Sequence, residues 1–374
     1  MQTILHIVGA RPNYMKIAPI HAALRATGAA EQVLVHTGQH YDAELKDVFF
    51  DDLALPRPDI ELDIGSGSHA QQTAAVLVGI ERVLCEIRPA AMVVAGDVNS
   101  TLGAALAAVK LEVPVIHVEA GLRSFDWSMP EEHNRRLVDH VSALLLTHSE
   151  SADENLRAEG IVGDRVVRVG NTMVDSLLVH LESAERVASW KEHGLERGSY
   201  VLVTLHRPAL VDSKHLLSRT LRALGELARE VPVVFPAHPR TRARLEAFDI
   251  SVPPGVQLLH PLSYIAFLSL QVGARAVITD SGGIQEEATA LGVRCFTFRA
   301  NTERPITVST GTNVLLGMEP ERLIEVAALS ATPAERRQRP PLWDGHAGER
   351  AAAAITRLLS GAIRGDATPF VERG

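Results

Sequence analysis

The chain has 374 residues, 46% of them hydrophobic and 22% charged, with a formal net charge of −8 at pH 7. That length exceeds one ordinary core and fits two domains. The negative balance argues against a nucleic-acid partner, so an anionic ligand would have to be held locally by glycine turns and a few basic side chains. No apolar stretch approaches the ~20 residues of a membrane span and no signal peptide opens the chain, so a cytoplasmic protein without a membrane partner is expected. The two cysteines, Cys85 and Cys295, lie in apolar runs and read as core residues. Sixteen histidines occur without HExxH or CxxC spacing, so no metal site is expected.

Thr3–Val8 reads as a buried strand, followed by GARPNYMK (Gly9–Lys16) and a helix with Ile17, Ile20 and Leu24 on one face. Gln32–His36 is the next strand, TGQHYD (Thr37–Asp42) its loop and Ala43–Leu53 a helical stretch. The Pro-containing segment Leu55–Asp63 has room for a short strand, and His69–Glu86 has helical periodicity. Ala91–Ala95 is a strand ending in GDVNST (Gly96–Thr101), with a helix over Leu102–Lys110. Val113–Val118 is a strand ending in EAGLRS (Glu119–Ser124), and Leu144–Thr147 another, with a helix from Glu150. Strands alternating with helices predict a mostly parallel, doubly wound sheet that binds ligands at the carboxyl ends of its strands. Arg11, Lys16, Asp97 and Glu119 all fall there.

Arg165–Val169 followed by GNTMVD (Gly170–Asp175) marks the junction between an N-terminal domain, residues 1–170, and a second, 171–356. The segment 357–374 is expected to pack back on the first. The alternation resumes: strand Tyr200–Thr204 with LHRP (Leu205–Pro208), a helix from Asp212 to Glu230, strand Val231–Phe235 with PAHPRTR (Pro236–Arg242), strand Val256–Leu259 and helix Ser263–Leu270. The run Ala274–Ile278 leads into TDSGGIQEE (Thr279–Glu287), and Glu286–Leu291 is helical. A strand, a glycine turn and a helix point backbone N–H groups at an anion, so Ser281, Gly282 and Gly283 suit a phosphate, with Glu287 in reach of sugar hydroxyls. Arg294–Thr297 is a further strand, Thr302–Pro305 and Thr310–Asn313 are polar turns, and Asp344–Leu359 holds a last helix. The fold class expected is α/β, with two doubly wound Rossmann-like domains facing a cleft.

GARPNYMKIAPI, TGQH, GDVNSTL, HVEAGLRS, MPEEHNR, VGNTMVD, TLHRP, TDSGGIQEE and TERP follow one another in an order that resembles the non-hydrolysing UDP-N-acetylglucosamine 2-epimerases, from residue 3 to about 360. The resemblance implies a GT-B-like fold, a UDP-sugar substrate, a homodimer and no metal or redox cofactor. It implies interconversion of UDP-GlcNAc and UDP-ManNAc: the C2 proton leaves as the C1–O bond breaks, UDP and 2-acetamidoglucal remain bound, and UDP adds back after reprotonation from the other face. Such a route asks for carboxylates near C2 and for cations and N–H donors on the diphosphate. By motif match Asp97, Glu119 and Glu131 do the acid–base work, without a base being told from an acid. Asp97 also suits a helix cap, and Glu131 with Glu132 a helix dipole.

By the same resemblance His206 stabilises or protonates the leaving diphosphate. Arg11 and Lys16 contact the nucleotide or shape the site, Ser281, Gly282 and Gly283 take the diphosphate, Glu287 takes the ribose, and Phe267 stands near the uracil or in the core. Arg123, Arg136, Arg207 and Arg304 are further candidates for anion contacts. Gln39, His40 and His238 match residues of an activating second substrate site, although Lys46 and Ala75 replace a usual Gln and Arg. HTGQHYD and NSTL resemble relatives acting on UDP-diacetamido-uronic acids, whereas TERP resembles the N-acetylglucosamine enzymes. A hydrolysing epimerase, a glycosyltransferase on the same fold and a non-catalytic nucleotide-sugar sensor are the other readings.

Overall fold

The computed structural model describes residues 2–9, 11–38, 55–331 and 339–361. The expected helix Ala43–Leu53, together with Gln39, His40 and Lys46, lies outside them. The chain divides into two compact units, Met1–Ser176 with Pro341–Gly374, and Leu177–Pro340.

The N-terminal unit holds β1 (Thr3–Val8), β2 (Glu31–His36), β3 (Ile60–Glu61), β4 (Ala91–Ala95), β5 (Val115–Ala120), β6 (Leu144–Thr147) and β7 (Val166–Arg168). They form one parallel sheet in the order β3-β2-β1-β4-β5-β6-β7. The central strands are apolar throughout, as strands covered on both faces must be; all five residues of β4, AMVVA, are buried. One face is closed by helices His69–Ile87 and Asn99–Lys110, whose Val76, Ile80, Leu84, Ala104 and Ala108 pack with Leu5, Met92 and Val94. Helix Ala347–Leu359 packs on helix Arg11–Thr27: a Cβ on Gly348 would sit 2.7 Å from the Pro19 backbone, and the Gly348 N–H donates to Asp175 Oδ2 at 2.7 Å.

The C-terminal unit holds β8 (Val201–Thr204), β9 (Val233–Pro236), β10 (Val256–Leu259), β11 (Ala276–Thr279), β12 (Arg294–Thr297) and β13 (Asn313–Leu315), parallel in the order β10-β9-β8-β11-β12-β13. Val203, Leu224, Phe235, Ile278 and Phe296 fill one side of this sheet, and Trp190, Tyr200, Leu202, Phe267 and Val277 the other.

Several elements depart from the expectation. Helix Pro239–Ala247 replaces a loop; Pro239 sits at its first position and Thr241 and Leu245 are its buried residues, too few to show as a periodic pattern. Helix Thr172–Val187 begins inside the expected junction, while the polar turns expected at Thr302–Pro305 and Thr310–Asn313 run up to helix Pro305–Ser309 and strand β13, elements not expected there. Cys295 is buried in β12, but Cys85 is exposed. Cys85 follows buried Leu84 by about 100° around the helix, which turns it outward despite apolar neighbours in sequence. Among the described residues no helix is long and apolar enough to cross a membrane.

Candidate active site

In the N-terminal sheet the strand order reverses between β1 and β4, and doubly wound sheets take their ligands outside the carboxyl ends of the strands at such a switch point. Gly9 ends β1 so close to Ser100 Oγ and Thr37 Oγ1 that any Cβ would collide with them. Asn13 Nδ2 donates to the Ala95 carbonyl at 2.8 Å, tying the first helical turn to the end of β4. Arg11 opens that helix, and Lys16, buried one turn on, pairs with the Glu119 carboxylate.

Glu119 lies on β5 at a register shift against β6 between Val118 and Ala120, with φ +67°. A left-handed backbone at a non-glycine residue costs about 1–3 kcal/mol and persists only where its surroundings hold it. The Glu119 side chain is held here by the Lys16 ammonium. Gly96, with φ +66°, makes room for that ammonium, since a Cβ there would lie 2.8 Å from Lys16 Nζ. Asp97 comes next. Val98 occupies the N-cap of helix Asn99–Lys110 with no side-chain cap bond, so the Asp97 carboxylate is not spent on capping. It pairs with Arg135, whose Nε donates at 3.1 Å, and the Asp97 carbonyl accepts from Asn134 Nδ2 at 2.8 Å.

Helix Pro130–Val141 supplies the support behind these carboxylates. Glu132, Arg135 and Asp139 recur at i, i+3 and i+7 and share one face. Glu132 accepts from Ser124 N at 2.8 Å, Ser124 Oγ at 2.9 Å and Arg135 Nη1 at 2.9 Å. Asp139, with no exposed surface, meets His117 Nδ1 at 2.7 Å, Arg123 Nη1 at 2.7 Å and Gly121 N at 3.1 Å. His117 Nε2 lies 2.8 Å from the Gly96 carbonyl. One carboxylate thus holds the turn after β5 directly and the turn after β4 through a histidine. Burial alone would push both carboxyls up; Ser124 and Arg135 outweigh it at Glu132, as His117 and Arg123 do at Asp139, so both stay below the usual carboxylate range.

Glu131 is half-buried in the first turn of this helix and has no side-chain hydrogen bond or ion pair among the described residues. Arg136 pairs with Glu132 at 3.1 Å and with Glu159, and its guanidinium lies 4.6 Å from the Trp127 ring centre. Arg123 is likewise committed to Asp139 and Glu159.

In the C-terminal sheet the order reverses between β8 and β11. After β8 come His206 and Arg207; after β11 come Asp280 and Ser281. Asp280 Oδ2 accepts the His206 N–H at 2.8 Å and the Arg207 N–H at 2.7 Å, and Oδ1 lies 2.9 Å from His206 Nδ1. Burial would raise this carboxyl; the His206 ring and the two N–H groups more than offset that and hold it below its ordinary value. His238 caps helix Pro239–Ala247, and its ring centre is 5.5 Å from that of His206.

Ser281 is the N-cap of helix Gly282–Leu291 and makes no side-chain cap bond, which leaves first-turn N–H groups, those of Gly283 included, to other acceptors. The Arg304 guanidinium lies against Gly282, where a Cβ would collide with it, and pairs with Glu286 at 3.0 Å. Arg207, Arg299 and Arg304 all approach Glu303, at 3.7, 2.7 and 3.4 Å. Burial, with a smaller push from Arg207 and Arg304, pulls Arg299 below its ordinary value despite Glu303. A helix N-terminus beside such a group suits a phosphate. Glu287 is buried, with the Gln271 amide 2.9 Å away when that amide is turned to donate, and Phe267 packs in the core beside Trp190 and Tyr200.

The motifs therefore contain supporting residues that reading them one at a time passes over. His117 sits in HVEAGLRS, Asp280 in TDSGG, Glu303 in TERP, and Glu132, Arg135 and Asp139 in one helical face. The spacing of that face is a readable signal for those three.

Asp139, Glu132 and Asp280 share one consequence for stability. A carboxyl depressed by folding stabilises above its unfolded value, near 4, and that contribution is lost as the pH falls through the folded value. Urea unfolding should lose stability below about pH 6.5, because burial holds the His6 imidazole down to about 3, and more steeply below about pH 4 as these carboxyls protonate, by roughly 1.4 kcal/mol per pH unit for each proton taken up. Stability unchanged down to about pH 3 would contradict these pairings.

A family model described as UDP-N-acetylglucosamine 2-epimerase matches residues 22–356. The UDP-N-acetylglucosamine 2-epimerase of Methanocaldococcus jannaschii is 41% identical over 363 residues, covering 95% of this chain and 98% of its own. The UDP-2,3-diacetamido-2,3-dideoxy-D-glucuronate 2-epimerase of Pseudomonas aeruginosa is 39% identical over 359 residues, covering 95% and 99%. The crystal structure of the Methanocaldococcus jannaschii enzyme in complex with UDP-GlcNAc and UDP aligns with a TM-score of 0.88 at 40% identity, covering 96% of this chain and 99% of that one. The UDP-GlcNAc 2-epimerase of Neisseria meningitidis bound to UDP-GlcNAc aligns with a TM-score of 0.85 at 30% identity, covering 96% and 100%. This chain belongs to the UDP-N-acetylglucosamine 2-epimerase family.

Proposed function

We propose that this protein interconverts UDP-N-acetylglucosamine and UDP-N-acetylmannosamine by eliminating UDP and adding it back. The observation that carries this reading is the pair Asp97 and Glu119 at the ends of adjacent strands, each with its own cation, Arg135 and Lys16. Inverting C2 requires a proton to leave one face and return to the other, so two separately held carboxylates fit the task better than one. A carboxylate takes the C2 proton. The C–H electrons form the C1–C2 double bond, and the C1–O pair leaves on the β-phosphate of UDP. Protonation of C2 from the opposite face and attack of UDP on C1 complete the inversion. Glu131 is the third carboxylate of the proposed set. The turn Ser281–Gly283, with Arg304 and Arg207, holds the diphosphate through N–H groups and cations, and His206 supports the leaving oxygen. Arg11 and Glu287 are proposed to contact the nucleotide.

A second substrate is favoured by one observation: the diacetamido-uronate epimerase of Pseudomonas aeruginosa is 39% identical, against 41% for the Methanocaldococcus jannaschii enzyme. Proton NMR in heavy water with either UDP-sugar separates the two. With UDP-GlcNAc, UDP-ManNAc should appear with deuterium at C2 of both sugars. Asp97→Asn should slow this on the order of 100- to 10,000-fold while UDP still binds by calorimetry. Accumulating free ManNAc would replace the reading with a hydrolysing epimerase, and exchange with the diacetamido-uronate alone would replace the substrate.

We also propose that the enzyme is a cytoplasmic homodimer. Val78 is 45% exposed on helix His69–Ile87, where Ala74, Ala75 and Cys85 are exposed too, a face that a second copy would cover. Light scattering should give twice the 40.4 kDa chain mass; a single-chain mass would overturn the dimer.

A further inference from the structure

We infer that Asp280 is a positioning residue that fixes the tautomer of His206, holding the proton on Nδ1 and leaving Nε2 as the nitrogen that serves the leaving diphosphate. The inference rests on the proposed role of His206. Asp280 is 1% exposed, and its two oxygens are differently engaged. Oδ2 is taken by two backbone donors, His206 N at 2.8 Å and Arg207 N at 2.7 Å. Oδ1 lies 2.9 Å from His206 Nδ1, a close charge contact outside hydrogen-bond angles, and meets no hydrogen-bond donor among the described residues. An ionised carboxylate only accepts and repels a lone pair at this distance, so the neutral ring facing it favours its proton on Nδ1. The side chain is 34% exposed, and Nε2 makes no hydrogen bond among the described residues. Nε2 then takes up or gives the proton that accompanies departure and return of the β-phosphate oxygen, while Nδ1–H stays where it is. Among the described residues the His238 imidazole also lies beside the ring, 5.5 Å away centre to centre.

The geometry dictates what an amide would do in place of the carboxylate. In Asp280→Asn the carbonyl oxygen must occupy the Oδ2 position, because two N–H groups point at it. The NH2 group then faces His206 Nδ1 and donates to it, so the ring proton moves to Nε2. The fold of the turn is kept while the tautomer is reversed.

Nitrogen-15 NMR of the histidine-labelled full chain reads this directly at about pH 9, well above the ordinary imidazole range, with the His206 signal assigned by its loss in His206→Gln. The wild type should show the Nδ1–H tautomer and Asp280→Asn the Nε2–H tautomer. Turnover of UDP-GlcNAc should fall on the order of 100- to 10,000-fold in kcat, with KM changed far less. An Nε2–H tautomer in the wild type would overturn the inference, whether or not the variant folds. So would an unchanged tautomer in Asp280→Asn. A reversed tautomer with unchanged kcat would support the hold of Asp280 on the ring and overturn instead the role assigned to His206.

Discussion

An ionised side chain at the end of a buried parallel strand persists only while a counter-charge stands beside it. That constraint organises the N-terminal unit. Glu119 is held by Lys16, Asp97 by Arg135, and behind them Asp139 is shared by His117 and Arg123. Where the group left behind is buried, as Glu119 would be without Lys16, removing its partner strands a charge at a cost of about 3–5 kcal/mol. In the proposed mechanism the same two carboxylates exchange the proton at C2, so stability and reactivity would draw on one set of contacts.

The two units use one arrangement in two ways. In each, a buried aspartate accepts the N–H of a turn and also faces a histidine: Asp139 with Gly121 and His117, Asp280 with His206 and Arg207. His117 is fully buried, and both ring nitrogens meet acceptors, so it acts as a tie between β4 and β5. His206 has one nitrogen beside the Asp280 carboxylate and the other without a hydrogen bond among the described residues. The strand orders match as well, and in both sheets the candidate residues follow the strands that flank the reversal.

Much of this was readable in the sequence, for identifiable reasons. Strands covered on both faces announce themselves as short apolar runs, and AMVVA at Ala91–Ala95 has the observed bounds. Helix Pro239–Ala247 was hidden because it buries little. Asp97 and Glu119 were legible as carboxylates after strands, but the left-handed backbone of Glu119 was not, since nothing in HVEAGLRS marks a bulge at a glutamate. Arg135 and Arg136 are neighbours in sequence and about 100° apart on a helix. Only the packed structure tells which one meets Asp97 and which one leans on Trp127. The shared face of Glu132, Arg135 and Asp139 was written in the spacing and shows that supporting residues can be sought by periodicity as well as by motif.

The central claim is that C2 inversion proceeds through cleavage of the C1–O bond. Positional isotope exchange tests it most directly, with UDP-GlcNAc carrying oxygen-18 in the bridge between C1 and the β-phosphorus. If UDP leaves and returns, the label should spread from the bridge into the non-bridging β-phosphate positions as epimerisation proceeds, as read by phosphorus NMR. Inversion at C2 with the label retained wholly in the bridge would contradict the account.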